Sequence, residues 1–150
     1  MNATRVPRTF RVLVVSIVLL AFIPVAASAP SGGVSQWVRE TKAHQISGYV
    51  TLGLATTTAI MGIAGYEYHP IAGVATAASS VVSLSLGSLA YSDQLGFYWP
   101  HAVLAGIATA GFVTSVFFLD GGSTAHIATG VASTVTLFSA YGAILLLTRL

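Results

Sequence analysis

Four apolar segments, at roughly 45–65, 70–91, 101–119 and 126–147, each run about 19–22 residues without a charge. That is the length an α-helix needs to cross the hydrocarbon core of a bilayer. The connections between them are short: Tyr66-Glu67-Tyr68, then Ser92 to Trp99, then Asp120 to Ala125. Short connections make successive helices antiparallel neighbours. The expected fold is therefore an all-α membrane protein, an antiparallel four-helix transmembrane bundle. Trp37, Tyr66, Tyr68, Tyr91, Tyr98 and Trp99 stand at or beside the segment ends, where an aromatic belt belongs. Composition agrees, since only 7% of residues are charged and the mean hydropathy is +0.83. Such a chain is no water-soluble domain, disordered tail or nucleic-acid binder, and its six basic residues make no face that could neutralise phosphates.

The N-terminal part reads differently. Arg5, Arg8 and Arg11 precede an apolar run from Val12 to Ile23, followed by Pro24 and the small residues Val25 to Ala29. A basic start, a short apolar run and a small-residue end describe residues 1–29 as a signal peptide, with an N-terminal anchor helix as the alternative. Residues 30–43 form a short polar segment, and the bundle occupies 44–150. A signal peptide would place residues 30–43 on the outer face, whereas Arg39 and Lys42 pull against that orientation.

The bundle segment also repeats itself. His44 to His69 is 25 residues and His101 to His126 is also 25, so a shift of 57 lays the first helix pair on the second. The same shift carries Gly65 onto Gly122, Gly73 onto Gly130 and Thr76 onto Ser133. Internal repeats of this kind are common among membrane bundles.

Cysteine is absent and methionine appears only at positions 1 and 61, so thiolate and thioether chemistry is out of reach. The strong ligand types left are four histidines and four carboxylates. Each histidine is expected at the start of one of the four helices. Helices that alternate in direction then bring His44 and His101 near one membrane surface, and His69 and His126 near the other. Alternate helices are diagonal partners across a bundle, so the topology specifies two facing pairs of imidazoles. Ionisable groups in membrane segments are rare and point to function. A cationic histidine at a helix N-terminus is opposed by the helix dipole, which favours neutral imidazoles, the form that ligates metal.

Below each histidine, at i+4 and i+7, every residue is small: Gly48 and Thr51, Gly73 and Thr76, Ala105 and Ala108, Gly130 and Ser133. A flat macrocycle held edge-on between helices needs such a trough beneath its axial ligand, and two facing imidazoles would supply the fifth and sixth ligands of its iron. Small residues also let ordinary transmembrane helices pack closely, and Gly62, Gly65, Gly87 and Gly111 are read in that way ahead of the alternative, that they give room for the opposite macrocycle. Helical rise puts the two histidine levels on the order of 20 Å apart along the membrane normal.

With its four histidines, their order along four helices, and H-x-x-x-G at His44, His69 and His126, the chain over residues 40–148 resembles the cytochrome b561 transmembrane core. At His101 the glycine comes one place later, at Gly106, and Ala105 fills the usual slot. The resemblance implies two b-type haems, one on His44 and His101 and one on His69 and His126. It also implies an electron-transport role as carrier or oxidoreductase subunit. The spacings look more like a minimal prokaryotic relative in the inner membrane, and no basic ascorbate-binding cluster is present. A quinol or a redox partner protein is thus the expected donor, with a homodimer or a larger redox complex as the expected assembly. Arg39 and Lys42 beside the His44/His101 level, against Glu67 and Asp120 at the other, predict the higher potential for the His44/His101 haem. A haem-free transporter using the histidines as ligands or proton relays is the competing class, and an assembly protein with merely hydrogen-bonded histidines is another. No G-x-S-x-G, phosphate loop or H-E-x-x-H suggests hydrolytic chemistry.

Overall fold

The computed structural model of the chain describes residues 33–148. The segment read as a signal peptide or anchor lies outside the described residues. The described part holds five helices: α1 (Val34–Glu40), α2 (Ala43–Ile63), α3 (His69–Tyr91), α4 (Leu95–Phe117) and α5 (Thr124–Leu147). The last four are each long and apolar enough to span a bilayer, so this is an all-α, multi-pass membrane bundle.

Local sequence explains most of the element ends. Helix α2 stops at Gly65, whose φ of +71° is open to glycine without strain. The Tyr66 N–H then reaches the Met61 carbonyl at 3.0 Å and the Gly65 N–H the Gly62 carbonyl at 3.3 Å, the two bonds of a Schellman stop. Its counterpart in the repeat, Gly122, also has positive φ, at +83°. Pro70 sits in the first turn of α3, where a missing N–H costs nothing. Ser123 caps α5 by accepting from the His126 backbone N–H at 3.1 Å.

Two features depart from the sequence expectation. The polar segment 30–43 contains a short helix, α1, whose Val38 is fully buried against Val82, Leu86 and Ala90 of α3. The third span begins at Leu95, six residues earlier than expected, after a single 3₁₀ turn over Ser92–Gln94. His101 consequently lies in the second turn of α4, whereas the other three histidines fall within the first turn of theirs. The expected start falls just after Pro100 because proline is favoured in a first helical turn, but Pro100 does not begin this helix. So close to the N-terminus it forfeits one backbone bond, and the helix runs through it.

Packing is closest within two antiparallel hairpins, α2 with α3 and α4 with α5. The α3–α4 contact is intermediate, and the α2–α5 seam is the sparsest side of the four-helix ring. Helices α2 and α4 are thus diagonal, as are α3 and α5. The central core is built from small and apolar residues, Ala55, Ala77, Ala108, Phe112 and Leu137. Hydroxyls tie α2 to α3 through Thr51 and Ser79 at 2.7 Å and through Thr58 and Thr76 at 2.8 Å. Large apolar side chains such as Ile60, Ile63, Val135 and Leu146 point outward, as a lipid-facing surface requires. A Cβ built on Gly111 would fall on the Ser133 hydroxyl, so the closest α4–α5 approach depends on that glycine. Gly111→Ala is expected to destabilise the bundle by about 1–3 kcal/mol through overpacking. Thermal unfolding in detergent measures this, and pairing the change with Ser133→Gly should recover most of the loss.

Candidate functional site

The topology brings the histidines together in the expected pairs. His44 and His101, on diagonal helices α2 and α4, have ring centroids 6.0 Å apart with planes at 79°. His69 and His126, on α3 and α5, are 5.8 Å apart at 89°, with their Nε2 atoms 3.4 Å from each other. Each pair takes one ring from each hairpin.

The second nitrogen of every ring is spoken for. His44 Nδ1 meets the Ser83 carbonyl at 2.9 Å, and His101 Nδ1 meets that of Ala140 at 2.9 Å. His69 Nδ1 meets the Thr58 carbonyl at 3.0 Å, and His126 Nδ1 that of Ser115 at 3.0 Å. The acceptors obey the repeat, because Ser83 plus 57 is Ala140 and Thr58 plus 57 is Ser115. A carbonyl only accepts, so an Nδ1 that bonds one carries the proton and donates; at His126 the Ser115 hydroxyl also stands 3.1 Å from that nitrogen. A neutral imidazole then has a bare lone pair at Nε2. Each hairpin fixes its own two rings by bonds to its own backbone, and His69 and His126 meet across the hairpins through their Nε2 atoms.

Those carbonyls are reachable for a structural reason. In an α-helix the side chain at i+4 tilts back over the carbonyl of residue i. Four residues beyond Thr58 and Ser83 stand Gly62 and Gly87. A Cβ on Gly62 would come within 2.8 Å of His69 Cε1, and one on Gly87 within 2.6 Å of His44 Cε1. These two glycines, first read as helix packing, are seats for imidazoles. Ser115 lies in the last turn of α4, where carbonyls lack helical partners and stay open. Ala140 accepts His101 with Ile144 at the corresponding place and needs no glycine.

The small residues below the histidines face the bundle interior. Gly48, Thr51, Gly73, Thr76, Ala108 and Ser133 are buried, and Ala105 and Gly130 half-buried. Their space is shared with neighbours. The Tyr141 hydroxyl sits where a Gly48 side chain would be, while Gly73 faces a Val116 methyl and Gly130 the Ser115 hydroxyl.

The surroundings of the two pairs differ. Beside His44, the Tyr91 ring stands edge-on at 5.8 Å, and the Arg39 guanidinium lies 5.5 Å above Tyr91. Arg39 also donates to the Ala90 carbonyl and pairs with Asp93. The count of positive charge at this end therefore needs correcting, because Glu40 and Asp93 offset Arg39 and Lys42. The opposite end carries Glu67 and Asp120 and no basic residue among the described residues. The sign of the contrast survives, neutral against negative.

Nothing in sequence marks a backbone carbonyl as an acceptor, so Thr58, Ser83, Ser115 and Ala140 went unnoticed; a glycine four places downstream was the available signal for two of them. Comparison with family models, curated proteins and solved structures finds no match.

The tautomer assignment is testable directly. In protein labelled with ¹⁵N-histidine and free of ligand, all four rings should show the Nδ1-protonated tautomer by NMR. Gly87→Ala should shift the His44 signals and leave those of His69 and His126 in place; Gly62→Ala should displace only His69.

Proposed function

We propose that the protein carries electrons across a prokaryotic inner membrane through two bis-histidine b-type haems, one held by His44 and His101 and the other by His69 and His126. It would serve as a quinol-linked reductase or as the membrane subunit of a redox complex. One observation carries this reading: the Nε2 atoms of His69 and His126 stand 3.4 Å apart while both Nδ1 atoms face carbonyls, an arrangement that leaves a neutral ring its lone pair at Nε2. Two lone pairs in that position repel unless a Lewis acid stands between them. A metal ligated by both needs about 4 Å between the nitrogens, taking roughly 2.0–2.1 Å per imidazole bond. An opening of a few tenths of an ångström on each side supplies it.

The number of ligands favours haem over a bare ion. No group of three or more His, Asp or Glu side chains able to hold a metal occurs among the described residues. A structural or transported zinc ion asks for about four protein ligands, or three and a water. Haem brings most of its iron's ligands itself and would ask the protein for two histidines at each level, His44 with His101 and His69 with His126. The donor set fits that demand twice.

Haem iron, when bound, supplies the one-electron chemistry. The residues of this chain do the rest. The Nδ1–H bonds to Ser83, Ala140, Thr58 and Ser115 fix the tautomer, orient each ring and raise the basicity of its Nε2. The core of Ala55, Ala77, Ala108, Phe112 and Leu137 keeps water from the space between the two levels. At one end Arg39 and Lys42 are offset by Glu40 and Asp93 and leave the level near neutral, whereas at the other Glu67 and Asp120 oppose the less positive reduced state. Electrons would fall from the His69/His126 level to the His44/His101 level.

A dithionite-reduced minus air-oxidised spectrum of the purified protein should show two b-type haems per chain. His44→Ala or His101→Ala should remove one, and His69→Ala or His126→Ala the other. A colourless protein from haem-replete cells would overturn the reading. Replacing Arg39 and Lys42 together by Gln should lower one of two resolved midpoint potentials, and an unchanged redox titration would refute the assignment of direction.

A further inference from the structure

The two histidine centres are not equally open. The 57-residue repeat makes the hairpins equivalent in their histidines and in the acceptors of those histidines, and Tyr141 breaks the equivalence. Its counterpart in the first hairpin is Leu84. Tyr141 extends from α5 across the sparsest seam of the ring and places its hydroxyl in the niche left by Gly48 on α2. Its ring stands edge-on to His101 at 6.3 Å and stacks on Tyr49 at 5.8 Å, with planes 29° apart. Gly48 lies one turn inward from His44, where any planar group ligated by His44 has to rest against α2. At the other centre the equivalent glycines meet only small groups, with Val116 Cγ2 3.4 Å from a Cβ on Gly73 and Ser115 Oγ 3.7 Å from one on Gly130.

We propose that Tyr141 and Tyr49 form a side gate in the α2–α5 seam, with Tyr141 filling the macrocycle's place at the His44/His101 centre, so that the two centres load in a fixed order, His69/His126 first. The inference rests on the bis-histidine reading above. The gate has a way to open. Tyr49 is 57% exposed on the outer surface, so the stacked pair can swing toward lipid without crossing the core. Displacing a packed ring before binding is expected to weaken affinity about ten-fold, which is roughly 1.4 kcal/mol.

Hemin titrated into the full chain, purified haem-free in detergent, tests the order. The pair variant His69→Ala/His126→Ala leaves only the gated centre, and His44→Ala/His101→Ala leaves only the other. The gated centre should bind hemin about ten-fold or more weakly. Tyr141→Leu, which restores the residue found at the equivalent place in the first hairpin, should bring it to within about three-fold of the open centre. The affinity of His69/His126 should not move, which also reports that the variant is folded. Tyr141→Phe keeps the ring and should keep the gap. Equal affinities with Tyr141 in place, or a Tyr141→Leu change that leaves the gap or shifts both centres alike, would overturn the gate while leaving the haem reading intact. Failure of hemin to bind at either centre would overturn both.

Discussion

A hydrogen bond from an imidazole Nδ1 to a backbone carbonyl one helix away, made four times over, is the interaction on which this molecule turns. It settles the tautomer, because the partner can only accept, and so settles which nitrogen is left with a lone pair. It sets the ring plane as well, since the bond ties the imidazole to a neighbouring backbone that cannot rotate away. Each ring has few torsional choices left once it is made, and a side chain oriented in advance loses less entropy in any binding it takes part in. The glycines at 62 and 87 belong to this device, for they uncover the carbonyls that do the holding.

The bundle around these bonds is suited to a membrane. Its interior is alanine, glycine and hydroxyl-rich, with threonine and serine bonded across α2 and α3, and its bulk apolar side chains face outward. In lipid, burying leucine gives helices little reason to associate, whereas small residues let backbones approach and hydroxyls bond between helices. That leaves the interior narrow, with Gly111 against Ser133 and Gly48 against Tyr141. Such a bundle holds its histidines close to one another without needing large side chains to define the space.

Much of this was legible beforehand. Four charge-free segments and three short connections determined the spans and their antiparallel order, and that order alone paired His44 with His101 and His69 with His126. The 57-residue register was visible in the histidines and glycines and extends to the carbonyl acceptors. Other features were hidden for physical reasons. Pro100 looked like a helix start because proline is favoured there, but a helix can carry it in the second turn. Helix α1 has only seven residues, too few for periodicity to announce it, and depends on burying Val38. Arg39 and Lys42 counted together as positive charge at one end until the pairing of Arg39 with Asp93, 54 residues away, came into view. Tyr141 belongs to no motif, and its importance comes from the helix it leans on.

The repeat has one more consequence. Since each hairpin orients its own two rings and each facing pair draws one ring from either hairpin, the rotation axis that relates the halves passes between both pairs. Neither half can complete a centre alone, and anything bound between paired rings fastens two halves that otherwise meet along looser sides than those within them. The molecule is in effect a covalently joined dimer of two-helix units with its seams at the paired rings. Whatever binds between those rings, and only there, would add to the cohesion of the whole bundle, by the linkage that joins binding to folding wherever a site exists only in the folded state.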